Sequence, residues 1–364
     1  MDARTSATNF LSLRREPVSF ALRDDDQMIV DTLTAFADEQ LRPRLRAAET
    51  ARSLAQDVTQ TFAEMGFEAL DLPNAAGGAG LGMLTRVLVN RCLAQADAGA
   101  ALALDRIGPA AYVLEAFGGV EAVTRHVAPI LDDPAARLAL VIEDVDRHAA
   151  AGDMVVGSLA WLPATRADVV VGRGPTSAWV LQGPAAVEPV PGSGLLAAGA
   201  SRLRFEGCVQ NGWTDRQAAR TALAKTRVYH AALILGVLYD ATEFSRRYAM
   251  DRVAFGQPVA HHQGMAFLIV ELFVAVEQCR LLVEDAARRL EAGEEAAQRA
   301  AAAFVEAVEA SRFVGPNGVQ ILGGHGFMRD FPMEKAMRDC RALGLLAGGV
   351  ERAQDDAGED VGEA

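Results

Sequence analysis

Apolar residues recur at three- and four-residue spacing through four long stretches late in the chain, at residues 215–252, 264–292, 294–313 and 331–346. Consecutive long amphipathic helices bury their apolar stripes against one another, so this run predicts an antiparallel four-helix bundle. The region before it has a different character. LALVIE (138–143), MVVGSLAWL (154–162), ADVVVG (167–172), SAWVLQG (177–183) and SRLRFEG (201–207) concentrate β-branched and aromatic residues between Gly-, Pro- and Asp-rich turns. They predict a small β domain. Earlier still the helical period returns. Ile29, Leu33, Phe36, Ala37 and Leu41 form one stripe within 26–48, which Pro43 interrupts. Further helices are expected over 55–65, closed by Gly66, and over 83–98 and 109–117. At 364 residues the chain exceeds one hydrophobic core. The fold class is therefore α+β: an N-terminal helical domain (1–137), a middle β domain (138–214), a C-terminal four-helix bundle (215–352) and an acidic tail (353–364) expected to fray.

Thirty-five Lys and Arg against 48 Asp and Glu leave a net charge of −13, which argues against non-specific nucleic-acid binding. No apolar run approaches the roughly 20 residues of a membrane span. The opening MDARTSATNFLSLRREPVSF has no apolar core like that of a secretory signal, so the expected location is cytoplasmic. Cys92, Cys208, Cys279 and Cys340 lie far apart without a CxxC pair, as expected of reduced and mostly buried thiols. The adjacent His261 and His262 point to different sides of any regular element, and no metal site is expected.

Three segments invite a functional reading. The loop Gly77–Gly82 is neither GxGxxG nor a Walker loop and follows no strand, so it reads as a structural turn. In YAMDRVAFGQPVAHHQ (248–263), Arg252 ends a long helix at a chain reversal. Its planar fork suits a diphosphate, yet capping its own helix's carbonyls would look the same locally. In VQILGGHGFMRDFPMEKAMRDCRALGLL (319–346), Gly323 and Gly324 clear a helix end of side chains, and Glu334 and Arg338 form an i,i+4 ion pair.

Taken together, R-x-x-F-G-x-P, H-Q, Q-I-L-G-G-x-G-F and E-K-x-x-R-D resemble the C-terminal domain of the acyl-CoA dehydrogenase family. F-A-D-E-Q-L-R-P, G-F-E-A-L-D-L-P, G-G-A-G-L-G and L-A-Q-A-D-A fall in the family's N-terminal order. The resemblance implies the three-part fold read above. It also implies FAD bound across a subunit interface in a homo- or hetero-oligomer (dimer or tetramer), an acyl-CoA substrate, and an electron-transfer flavoprotein as acceptor. By the same resemblance, Arg252 and Phe255 contact the FAD of their own subunit. Gln320, Gly323 and Gly324 contact the diphosphate and adenosine of the neighbour's FAD, and Trp161 packs on the flavin. Arg227 is the substrate-side arginine, with a plain surface ion pair as the other reading.

The chain departs from the family where chemistry is expected. The family's base is a carboxylate that removes the α-proton of the thioester while the β-hydrogen leaves as hydride to the flavin. Its usual position, just past R-D, is Ala347 here, and the alternative position on the long helix is Thr226. Glu351, four residues beyond Ala347, is the substitute candidate, set against a solvated helix-start glutamate. The Ala347 N–H would still polarise a thioester carbonyl. Val141-Ile142-Glu143 replaces L-T-E, and Leu162-Pro163 follows Trp161, so two flavin-binding groups are lost. Three readings follow: FAD-dependent α,β-desaturation with an unusual base, a catalytically silent subunit lending half of a shared FAD site, or a flavin monooxygenase of the same fold. Ala231, Ala232 and Gly236 make room for a bulky acyl group or for tight helix packing.

Overall fold

The structure is a computed structural model and describes residues 22–183 and 185–358. The opening segment read for a signal, and residues 359–364 of the acidic tail, lie outside the described residues. Helix α1 (Asp24–Phe36) passes through a π turn (Ala37–Leu41) and a 3₁₀ turn (Arg42–Arg44) into α2 (Leu45–Ala51). Pro43 lacks an N–H, so the helix is re-wound there rather than ended. Helix α3 (Gln56–Met65) stops at Gly66, whose φ of 73° only glycine adopts cheaply. Helix α4 (Met83–Leu104) outruns its predicted end, with a kink where Asp97 leaves helical geometry. Helices α5 (Ala110–His126) and α6 (Ala128–Asp132) complete this part. The glycine loop is a turn: Gly80 and Leu81 donate to the Leu72 and Leu70 carbonyls at 2.8 and 2.9 Å.

Strands β1 (Leu138–Ile142), β2 (Met154–Leu162), β3 (Val169–Arg173), β4 (Ser177–Gln182), β5 (Ala186–Pro189) and β6 (Ser201–Thr214) form one sheet. Its order is β1-β3-β4-β6-β2, with β5 also on β6, and β1 runs parallel to β3. Strand β6 extends well beyond the run read at 201–207. Its first half pairs with β2 and β5, and its second half with β4. That length carries the chain straight into α7 (Arg216–Asp251), which Asp215 caps by accepting the Ala218 N–H.

Helix α7 is the central helix. Ala231, Ala232, Leu233, Ile234 and Leu235 are fully buried, so it is enclosed on every side along this stretch. A Cβ on Gly236 would lie 2.5 Å from the Arg91 carbonyl, so Gly236 serves tight packing on α4. A hairpin of β7 (Val253–Ala254) and β8 (Gln257–Pro258) leads to α8 (Gln263–Glu291). Helix α9 (Ala297–Leu322) then continues past residue 313, through Pro316. Gly318 lets the Met333 methyl pack close there, since a Cβ would lie 2.1 Å from it and force that side chain to move. Helices α10 (Met333–Leu343) and α11 (Val350–Gly358) finish the described residues. The fraying expected from residue 353 is not seen through 358. Val350 and Ala353 are buried, and Asp356 pairs with Arg227, so α11 crosses the 352/353 boundary as a docked helix.

A buried ionic triad joins the first helices to the bundle. Lys335 Nζ lies 2.9 Å from Asp97 and 2.5 Å from Asp339, and Asp339 also accepts the Leu195 N–H at 2.7 Å. Among the described residues, no helix is long and apolar enough to cross a membrane. Cys92, Cys279 and Cys340 are buried, Cys208 is exposed, and all four are free thiols.

Candidate functional site

A cavity of about 330 Å³ opens where the three parts of the chain converge. The end of α4 and its following loop supply Asp105, Ile107 and Pro109, β1 supplies Leu138 to Leu140 with Ile142, and β2 supplies Trp161 and Leu162. Helix α7 contributes Thr226, Tyr229 and His230, and the turn after α10 contributes residues 345–348. A register shift between β2 and β6 spans Leu159 to Leu162. This irregularity re-aims the strand at Trp161. On α7, residues 226, 229 and 230 share one face because they are three and four apart.

The walls are mostly apolar and their polar groups are largely spent. Asp105 accepts the Tyr229 hydroxyl at 2.8 Å and the Gly108 and Ile107 N–H groups at 2.7 and 3.2 Å, with Arg86 at 3.9 Å. Thr226 donates its hydroxyl back to the Ala222 carbonyl at 2.8 Å. Asp144 also lines the cavity, but its side chain is 92% exposed and meets Arg352. His230 is the different case. Its Nδ1 lies 2.8 Å from the Thr226 carbonyl, which only accepts, so Nδ1 carries the proton and Nε2 the lone pair. Burial lowers its pKa to about 4, which keeps the ring neutral.

Ala347 is buried at the cavity wall with φ of 56°, followed by Gly348 and Gly349 at 87° and 84°. Its N–H donates to no described residue. Glu351 does not reach this wall. It is exposed in the first turn of α11, which is the solvated helix-start placement. Arg227 is buried and turned to another face of α7, where it pairs with Asp356 and lines a different pocket. Arg227 thus stands next to the cavity-facing Thr226 but off that wall, in a buried ion pair, because successive helical residues diverge by about 100°.

The remaining expected residues sit together at one end of the bundle, away from the cavity lining. Tyr248, four residues before Arg252, lies 2.8 Å from His325 and 3.4 Å from the Leu322 carbonyl. This joins the ends of α7 and α9. Arg252 pairs with no described residue, so it is not capping its helix, and Phe255 is 97% exposed on the hairpin turn. Gln320 is exposed, and a Cβ on Gly323 or Gly324 would meet nothing within 4 Å. Packing does not require these glycines, although the backbone at Gly323, with φ of 59°, favours one.

His230, Tyr229 and Asp105 were missed in the sequence, although Thr226 and His230 stand four apart on a helix already recognised. Residues 23–133 match the family model for the acyl-CoA dehydrogenase N-terminal domain, and residues 211–361 that for its C-terminal domain. Cyclohex-1-ene-1-carbonyl-CoA dehydrogenase of Geobacter metallireducens is 27% identical, over 90% of this chain and 95% of that one. The probable acyl-CoA dehydrogenase FadE25 of Mycobacterium tuberculosis is 23% identical, over 90% and 93%. Among solved structures, butyryl-CoA dehydrogenase of Megasphaera elsdenii superposes with a TM-score of 0.82 at 21% identity, covering 94% of this chain and 99% of that one.

Proposed function

The chain belongs to the acyl-CoA dehydrogenase family, and from that premise we propose that it is a FAD-dependent oxidoreductase acting on an acyl-CoA thioester in the three-domain cavity. The observation that carries this reading is the convergence of Trp161, Thr226 and Ala347 on one apolar cavity. FAD, when bound, supplies the hydride acceptor. The outward-facing Arg252 and Phe255, with the bare Gly323–Gly324 and Gln320, suit its diphosphate and adenosine. At the cavity end, Trp161 offers an aromatic face, while Pro163 has no N–H to offer.

The chain's own residues then have definable tasks. The apolar walls exclude water, and the unspent Ala347 N–H polarises the thioester carbonyl. Of the titratable side chains on the wall, Asp105 is committed to its donors and Asp144 stands in solvent. We assign the α-proton to Nε2 of His230, a neutral acceptor held by the Thr226 carbonyl. Helix α8 exposes Phe267, Val270, Val274 and Leu281 along one stripe, and a second copy or a related subunit covers it.

A visible spectrum of the purified full chain, before and after a panel of acyl-CoA thioesters, tests the reading. The expected result is a yellow protein that bleaches, with His230→Gln keeping its flavin and bleaching on the order of 100-fold more slowly. A yellow protein that no thioester bleaches would sink it. One observation favours a second reading, the silent subunit of a heteromeric dehydrogenase: the surface at Arg252, Gln320 and Gly323–Gly324 is open while both usual carboxylate positions are empty of acid. A chain that is colourless alone, and gains flavin only when co-expressed with a glutamate-bearing relative, selects that reading.

A further inference from the structure

On an adjoining face of α7 lies a second pocket, of about 240 Å³, walled by five arginines. Arg173 ends β3, Arg216, Arg220 and Arg227 follow the first half of α7, and Arg352 comes from α11. The spacing 216, 220, 227 keeps three cations on one helix face. Among the described residues Asp356 is the one acid on the wall, and it is paired with Arg227. Glu295 lies 3.8 Å from Arg220, and Asp144 lies 3.1 Å from Arg352.

Arg173 is the member that needs an explanation. It is 3% exposed, and its Nη2 donates to the Ala219 carbonyl at 3.0 Å, but Nε and Nη1 are buried without a hydrogen-bond partner among the described residues. Among the described residues no carboxylate lies within ion-pair distance of it: Asp356, whose charge it feels more strongly, pairs with Arg227, and Asp146 is occupied by Thr176 and Ser177. Burial lowers its pKa to about 10, and Arg352 and Arg227 push in the same direction. A buried cation that no carboxylate touches is disfavoured, and its two unspent donors are left for an anion to satisfy. Three arginines converging on one fixed position is the donor set that phosphate oxygens recognise.

We propose that this pocket is a binding site for a phosphate-bearing anion, with Arg173, Arg216 and Arg220 as its ligands and the Arg227–Asp356 pair holding α11 against it. Two ligands share this chemistry: free inorganic phosphate, and the phosphorylated nucleotide end of coenzyme A. The second source rests on the acyl-CoA reading above, whereas the site itself does not.

Thermal-shift and calorimetric titrations of the full chain with inorganic phosphate, adenosine 3′,5′-bisphosphate and coenzyme A test it, with sodium chloride at matched ionic strength as control. At least one probe is expected to raise Tm saturably and by more than the chloride control does. Arg216→Gln, on the surface at the mouth, weakens that binding at least tenfold without altering the ligand-free Tm. Arg173→Gln abolishes the response and raises the ligand-free Tm, because an unpaired buried charge is gone. A response to all three probes assigns the site to phosphate at large, and one restricted to the bisphosphate and coenzyme A assigns it to the nucleotide. Absence of any saturable shift, a chloride effect of equal size, or binding unchanged in both variants overturns the proposal. Flavin content and bleaching are recorded in parallel, so failure of the anion site and failure of the dehydrogenase reading give separate signals.

Discussion

At Ala347 the chain holds a residue with a Cβ in the left-handed region, at φ of 56°, where the next two residues are glycines. That placement costs about 1 kcal/mol and no polar side chain offsets it. Ala347→Gly is therefore expected to stabilise the fold by about 1 kcal/mol in urea denaturation. A variant that is destabilised instead would mean that the methyl's packing on the cavity wall outweighs the strain. His230 makes the second prediction. Burial depresses its folded pKa to about 4 from an ordinary 6.5, so on acidification the unfolded chain takes up the proton first. Its contribution is complete above pH 6.5 and is lost as pH falls towards 4, up to about 3 kcal/mol. Unfolding curves at pH 7 and 4.5 check this: His230→Gln should flatten the acid limb, and an unchanged limb would mean that the ring is already solvated.

Among the elements, the kink in α4 and the start of α10 are coupled through Lys335. Burial alone would lower the ammonium pKa, but Asp339 and Asp97 outweigh it and hold the group charged. Removing the cation leaves two carboxylates buried together, with the Leu195 N–H and the Asp97 turn as their remaining donors. Lys335→Met is expected to cost about 3–5 kcal/mol, read as a drop in the denaturant midpoint. A loss under about 1 kcal/mol would show that water reaches the triad. The E-K-x-x-R-D string is thus structural here: Glu334 and Arg338 pair at 2.7 Å, and Arg338 also reaches Glu49 at 2.6 Å.

For the molecule as a whole, the uncovered face of α8 sets the assembly. Phe267 and Val270 are each 59% exposed and Val274 is 50% exposed, one helical face with no neighbour in the single chain. Phe267→Glu with Val274→Glu should leave the thermal midpoint of the chain within about 2 °C, because exposed positions carry little stability. The same pair should shift its sedimentation to that of a monomer. An assembly that persists would place the interface on another face.

Helical periods, the stop at Gly66 and the β-branched runs are local properties, set by backbone geometry and by which residues face water. They determined the three-part order and most elements from sequence alone, and the family motifs rode on them. Where local signals conflict with tertiary packing the reading fell short. Gly315 and Pro316 hid the end of α9, the glycine at 207 hid the second half of β6, and the acidic composition hid α11. The cavity and the arginine pocket depend on a different kind of information. Tyr229 meets Asp105 and Arg227 meets Asp356 across more than a hundred residues. Such partners are chosen only when whole elements pack, since the space left between them, and the charges stranded in it, belong to no single segment.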